Sequence, residues 1–475
     1  MPGLHGHFRT DVLYCTRNLN AKAACKLDCV KLFIEKALYP AMELKKGNRV
    51  RTYLAELQNT QTAEPDALHA LQAERLKKLL HACADGVPAY RGLLTHEAID
   101  EDPFVALRAL PVLEKRTFRE SPERYLNENY DASARIANTT GGSTGAPMQF
   151  YMDRFSVEHY EAARWRGMSW WGVTPGSRSV MLWGNPIELS QNEQKKARLK
   201  ERYLKNRVVL SAYEMTPERA GEYIAFLNRY QPEYFYGYAG AIETFARLLA
   251  PRRDELHLKH LKVVVSTSET LHDAQRELIS GVFGCPVANE YGARDAGILA
   301  FQCPCGKLHM VPENVLLELV DPVTHEPVRT GNSGLVVTTD LNNLAQPRLR
   351  FLLGDTATLS DEACTCGLGL PVMQSIDGRE DAIFKLPDGR LIHGVFSTQL
   401  AKHYPSIEQI QLVQYDAAHA ELFIVSTGAQ PGEIASYARQ VRDVLQGVEL
   451  TVREVADIPK TGSGKTRYAI REFPL

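Results

Sequence analysis

The chain has 475 residues, 44% of them hydrophobic, and a formal net charge of -2. That length can bury a large core and divides into two or three domains. The near-neutral balance excludes the basic footprint that a nucleic-acid backbone requires, so no nucleic-acid partner is expected. No window reaches the apolar length of a membrane span and the first residues lack the secretory pattern, so no membrane span and a cytoplasmic location are expected. The nine cysteines are then expected to be reduced. Cys15, Cys25, Cys29, Cys83 and Cys285 are scattered and read as bland.

Residues 1–65 read as a helical extension. Within it, Ala24–Leu38 (ACKLDCVKLFIEKAL) has helical apolar spacing with lysines opposite; a membrane surface would suit it, but packing against the main domain is the favoured reading. From Asp66 to Cys83, Leu68, Leu71, Leu76, Leu79, Leu80 and Cys83 recur at helical intervals, and Gly86 with Pro88 ends the pattern. Thr139–Pro147 reads TTGGSTGAP, the densest cluster of glycine and hydroxyl residues in the chain. Such a stretch is either a surface turn or a wrap for phosphate oxygens, because glycine permits close backbone approach and hydroxyls and N–H groups bind anions.

From Arg178 onward β-rich runs (RSVMLWG, RVVLSAY, EYFYGY, LKVVVSTS, PVANEYG) alternate with helical stretches such as PERAGEYIAFLNRY and HDAQRELISGVFG. This is the α/β rhythm of parallel strands with helices packed over them. Asn289-Glu290-Tyr291-Gly292 ends one strand, at the edge where open parallel sheets bind ligands. Tyr291 is either a core aromatic or a platform for a base. Asp295 either holds a magnesium ion through oxygen or caps the next helix.

After about Asn314 the strand candidates VLLELVD, GLVVTTD and LRFLLGD follow one another, as in an antiparallel sheet or small barrel; the β-rich region is taken as about 300–378. Gly354-Asp355 is a bare turn or a carboxylate for two ribose hydroxyls. A domain boundary is placed near Gly378. Residues 379–475 then form a compact tail in which strands (EQIQLVQY, AELFIVS, VELTVREV) flank one helix, GEIASYARQVRDVLQG. Near its end, TGSGKT imitates a phosphate-binding P-loop. The glycine such a loop needs is replaced by Pro459, and the ten residues after Lys465 cannot supply the required helix.

Cys303-Pro-Cys305-Gly and Cys364-Thr-Cys366-Gly are matching knuckles, with His309 six residues after Cys303. Thiolates at turns suit a closed, structural, tetrahedral zinc site, and spacing alone favours four cysteines; unmetallated thiols are the bland alternative.

The order of these segments resembles the adenylate-forming acyl-CoA synthetase superfamily, most closely its phenylacetate-CoA ligase branch with the capsule-biosynthesis-like members. TTGGSTGAP is similar to the phosphate loop, NEYGARDAG to the tyrosine-glycine-acidic segment, LRFLLGD to the ribose-binding segment, IDGRED to the inter-domain hinge and PKTGSGKTR to the terminal lysine loop. ERLKKLLHACADGVPAYRGLL resembles that branch's N-terminal helix, and the resemblance spans about residues 70–470.

The resemblance implies that residues 1–378 form a nucleotide- and acyl-binding domain and that 379–475 form a mobile lid. It implies ATP-dependent adenylation of a carboxylic acid, aromatic or otherwise planar, with pyrophosphate release and then transfer to coenzyme A. An amine or other acceptor, or a homologue that has lost catalysis, are the alternatives. Expected cofactors are ATP, Mg2+, coenzyme A and structural zinc, and a homodimer is an expected assembly.

By the same resemblance Lys465, Asp295 and Arg379 are catalytic. Thr140, Gly142, Ser143, Thr144, Gly145, Asn289, Glu290, Tyr291, Gly292, Asp355 and Arg379 hold the nucleotide, and Asp381 is the hinge. Tyr236, Tyr238 and Gly240 are substrate-binding candidates; they share with Tyr234 and Phe235 a strand whose aromatics border the acyl pocket or simply fill the core. Related sequences imply a Cys303, His309, Cys364, Cys366 zinc set with Cys305 as the rival to His309. Three departures stand out: Asp295 where glutamate is common, Leu352 in place of an arginine, and Gly141 in place of a hydroxyl.

Overall fold

Val263–Thr267, VVVST, is buried along its whole length, which a strand achieves only when both faces of its sheet are covered. The computed structural model describes residues 29–140, 148–183, 199–211, 215–401, 403–404, 406–428, 431–459 and 467–475. The chain divides into two compact units: Met1–Asn59 with Glu161–Tyr291 and Phe301–Gly306, and Thr60–Tyr160 with Gly292–Ala300 and Lys307–Leu475.

In the first unit the strands Arg207–Ser211, Ser179–Trp183, Tyr234–Tyr238, Val263–Thr267 and Val287–Ala293 pair in that order, all parallel. Helices Ala220–Tyr230, Ala239–Leu249 and Asp273–Phe283 supply the cover. Phe235, Phe245 and Phe283 meet inside the resulting core, with the Phe235 and Phe283 rings edge to face and their centroids 4.9 Å apart. Gly237 is required by packing: a Cβ there would lie 2.4 Å from the Leu182 carbonyl oxygen. Of the Ala24–Leu38 segment, residues 29–38 are described and helical. Ile34 is buried against Gly176, and the Lys31 ammonium lies 2.7 Å from Glu233. Burial raises the thiol pKa of both Cys83 and Cys285, the latter to about 12, which keeps them unreactive.

In the second unit Val315–Val320, Ser333–Asp340, Phe351–Ser360, Val372–Arg379 and Leu308–Met310 pair antiparallel in that order, an open sheet and not a barrel. Ile136–Thr139 pairs antiparallel with Gln149–Met152. The C-terminal stretch has a four-stranded sheet ordered Glu449–Glu454, His419–Ser426, Ile407–Gln414, Ala469–Arg471, whose outer pairs are parallel and inner pair antiparallel. It encloses its own apolar cluster around Leu412, Leu422, Ile424, Tyr437 and Val441. Two helices accompany it, Val395–Ala401 and Pro431–Val444, where the sequence reading expects one.

The helix Arg154–Ser169 has no counterpart in the sequence reading, because RFSVEHYEAARWRGMS places His159, Glu158 and Arg166 in buried positions and so blurs the apolar stripe. Its start is fixed by Asp153, whose carboxylate accepts from Ser156 N at 2.6 Å and Leu344 N at 2.8 Å. Asp153 is nevertheless buried, and that desolvation raises its pKa to about 6, with the neighbouring Asp340 adding to the rise. A raised carboxyl pKa stabilises the fold fully below the unfolded value near 3.9, and that contribution is lost as pH rises through about 6. We expect the stability difference between the native chain and Asp153→Asn to fall by roughly 2–3 kcal/mol between pH 4 and pH 7. Urea unfolding across that range measures it; parallel pH profiles would show that Asp153 carries no such burial.

Candidate functional site

At the C-terminal ends of the parallel strands a carboxylate has been taken out of water. Glu290 is 2% exposed. Its Oε1 accepts from Tyr236 Oη at 2.6 Å and Thr267 Oγ1 at 3.0 Å, and its Oε2 from Arg164 Nε at 3.1 Å. Three different segments thus converge on one ion, and the strand register Tyr236↔Val265 and Thr267↔Glu290 is what aligns them. Burial, reinforced by Glu290, raises the Tyr236 pKa far above the usual range, so its hydroxyl stays protonated and donates. Arg164 and Thr267 carry no sequence motif and were missed; only their partner was legible.

Tyr236 also lies parallel to Trp183, with centroids 6.2 Å apart, and Tyr238 packs on the same indole at 4.1 Å. Tyr234 and Phe235 are fully buried, as the core alternative for this strand has it. Tyr291 is buried as well. Gly240 N donates to Glu269 Oε2 at 2.7 Å, and Asn289 N donates to Gln302 Oε1 at 3.1 Å.

In the second unit the glycine-rich stretch is flanked by paired strands with Thr139 opposite Gln149. Thr140 N donates to Met148 O, and Met148 N to Thr140 Oγ1, each at 2.9 Å. Gly142, Ser143, Thr144 and Gly145 lie outside the described residues, as does Lys465. Arg294 donates to Thr139 O at 3.0 Å.

Asp355 and Arg379, 24 residues apart in sequence, face each other in the antiparallel ladder and form an ion pair at 2.6 Å. Gly354, at φ +70°, lies inside the strand Phe351–Ser360, where the pairing with Ser333–Asp340 is interrupted, so Gly354-Asp355 is an irregularity within a strand and not the turn that the sequence suggests. Asp381 pairs with Arg467, so the hinge candidate is bonded to the last described segment of the chain. Leu352, which stands where the resemblance expects arginine, is buried with Val320, Leu335, Val337 and Ile383. Arg350 is buried nearby, but its guanidinium is occupied by Glu318 at 3.2 Å and by the carbonyls of Arg108 and Leu110.

Asp295 sits in the turn between the strands Val287–Ala293 and Gly297–Gln302; no helix follows, so it is not a helix cap. Gly292 is needed at this turn because a Cβ would lie 2.8 Å from Gly297 O. The Asp295 carboxylate is buried, and its nearest cation is Lys115, 3.8 Å away. Lys115 also donates to Leu353 O at 2.7 Å, and Arg348 fixes the Asp295 carbonyl at 2.8 Å. Lys115 opens the short helix Lys115–Glu120, and nothing in its local sequence marked it. A lone carboxylate of this kind suits Mg2+, which is bound by one or two carboxylates together with phosphate and water.

Within the second unit His309, Cys364 and Cys366 bring one ligand atom each within 4.8 Å of the others. Cys305 is exposed and outside this group. His309 is fully buried, its Nδ1 lies 3.1 Å from Leu370 O and its Nε2 lies 3.2 Å from Cys366 Sγ. A carbonyl only accepts, so Nδ1 carries the hydrogen and Nε2 turns its lone pair toward the thiols, the tautomer a metal site needs.

No family model matches the chain. It is 25% identical to Protein CapK of Staphylococcus aureus over 379 residues, 77% of this chain and 80% of that one. It is 27% identical to the phenylacetate-coenzyme A ligase of Thermus thermophilus over 332 residues, 68% and 72% of the two chains. In fold it is similar to 2-hydroxyisobutyryl-CoA ligase crystallised in its postadenylation state with an acyl-AMP, at TM-score 0.67 and 19% identity over 87% of this chain and 92% of that one. In sequence the chain is thus similar to Protein CapK and to phenylacetate-coenzyme A ligases, and in fold to adenylate-forming acyl-CoA ligases, a likeness that supports the phenylacetate-CoA ligase-like branch.

Proposed function

We propose that the protein activates a carboxylic acid with ATP, releasing pyrophosphate to form an acyl-adenylate, and then transfers the acyl group to the thiol of coenzyme A. The observation that carries this reading is the Asp355–Arg379 pair, where ladder register joins the ribose-type and hinge-type motifs at 2.6 Å. In this reading Asp355 accepts the ribose hydroxyls and Arg379 contacts the nucleotide. Thr140 and the glycine-rich stretch receive the phosphates, and Asp295 holds Mg2+ against them. Glu290, its oxygens already occupied, acts by holding Tyr236 and Arg164 rather than by touching nucleotide. Tyr236, Tyr238 and Trp183 favour a planar or aromatic acyl group.

The central difficulty is that a carboxylate must approach a triphosphate, and preorganised positive charge lowers that barrier. Lys465 is the residue proposed for this role, delivered by residues 379–475 acting as a lid about Asp381. Such a swing lets one site serve two half-reactions. The likeness to Protein CapK favours a second reading in which the acceptor is an amine or another nucleophile.

Lys465→Ala is expected to lower acid-dependent ATP–pyrophosphate exchange about 100- to 1000-fold, roughly 2.7–4 kcal/mol, without changing the unfolding curve. Exchange at the native rate would refute the assignment. The same assay across a panel of carboxylic acids separates the acceptors, since exchange without thioester formation points away from coenzyme A.

We further propose that the cysteine–histidine cluster holds one structural zinc. Elemental analysis should find about one zinc per native chain and per Cys305→Ser chain, and a loss of most of it in Cys366→Ser. Equal zinc content in all three would exclude the cluster.

A further inference from the structure

On the second unit, within and just after the stretch ERLKKLLHACADGVPAYRGLL, His81 and His96 meet ring to ring. His81 lies in the helix Pro65–Gly86 and His96 opens the helix His96–Glu101. Their Nδ1 atoms are 2.7 Å apart while the ring centroids are 4.9 Å apart at an interplanar angle of 20°. The nitrogens therefore lie between the centroids, so the rings meet edge to edge and not face to face. On the far side of each ring stands a carboxylate: Asp100 Oδ1 is 3.1 Å from His81 Nε2, and Asp85 Oδ1 is 2.9 Å from His96 Nε2. Lys77 Nζ completes the surroundings, 2.7 Å from Asp100.

An ionised carboxylate only accepts, so each Nε2 is the nitrogen that carries a hydrogen. Two neutral imidazoles fixed in that tautomer point two lone pairs at each other across 2.7 Å. The arrangement is repulsive unless a cation lies between them, and only a proton or a metal ion is small enough.

We propose that His81 and His96 form a two-histidine site for a divalent first-row cation of the zinc type, with Asp85 and Asp100 as its orienting carboxylates. Carboxylate–histidine–metal pairing is the usual way a ligand imidazole is aimed. Tetrahedral zinc with nitrogen ligands at about 2.0–2.1 Å requires the two nitrogens about 3.3 Å apart, a small opening for two side chains on the surface. When the pair shares one extra proton, binding is an exchange: two Nδ1–Zn bonds form and that proton leaves to solvent. A bound ion links positions 81 and 96 across the turn between the helices and so stabilises the folded unit by mass action.

The test is calorimetric titration of the full chain with Zn2+ at pH 7, the native chain after equilibration with one equivalent of zinc and Cys366→Ser without it. Both should show the site, with proton release seen as a dependence of the heat on buffer ionisation enthalpy. His81→Gln and His96→Gln should each weaken it at least tenfold, and Asp100→Asn by about tenfold. Zn2+ should raise the melting temperature of the native chain and leave that of His81→Gln/His96→Gln unchanged. Zinc binding that is absent from the native chain, or identical in the histidine variants, overturns the proposal.

Discussion

Burying the Glu290 carboxylate is the constraint on which the ligand edge of the parallel sheet depends. An ion taken out of water costs several kcal/mol unless its lone pairs are met, and removing one donor leaves the charge uncompensated. Tyr236, Thr267 and Arg164 meet it from two strands and a helix. The register among Tyr234–Tyr238, Val263–Thr267 and Val287–Ala293 is thereby specified twice, once by the backbone ladder and once by this ion. A one-residue slip would turn Tyr236 to the opposite face, where Phe235 packs on Phe245 and Phe283.

That dual specification also explains why the aromatic run YFYGY divides as it does. Alternation sends Phe235 into the helix-covered core and Tyr236 to the other face, with Tyr238 two residues on beside Trp183. Gly237 lets the neighbouring strand approach. The sequence places all five residues on one strand but does not say which of its two faces is which.

Much of the fold was legible because hydrophobic period and breaker residues are local signals. The strands VVVST and SGLVVTTD and the helices Ala220–Tyr230 and Asp273–Phe283 fall where period and β-rich composition put them, whereas the run LRFLLGD, expected to close at Asp355, continues as a strand to Ser360. Arg154–Ser169 escaped because its buried polar groups are satisfied by partners remote in sequence; Arg166, for example, donates to Leu57 O at 3.1 Å. The same cause hid Arg164 and Lys115, whose partners lie 126 and 238 residues away. Glu290, Asp355 and Arg379 are legible as candidates because they sit in short motifs, although only Arg379 ends its strand. The histidine of the cysteine cluster was left open between two candidates because spacing fixes neither burial nor tautomer; Leu370 O supplies the tautomer here.

The cations around Thr139 and the strand Phe351–Ser360 are held in two physically different ways. Arg379 is paired with the ionised Asp355, so much of its charge is spent within the protein. Arg294, by contrast, is fixed by Thr139 O, and Lys115 by Leu353 O, with the Asp295 carboxylate a more distant 3.8 Å away. A carbonyl orients an ammonium or guanidinium without cancelling its charge, so the placement of these groups has been settled by folding. Such preorganisation is what makes positive charge effective toward an anion. Leu352 takes no part in this arrangement: its apolar side chain packs with Val320, Leu335, Val337 and Ile383, where the charge of an arginine would have to be buried.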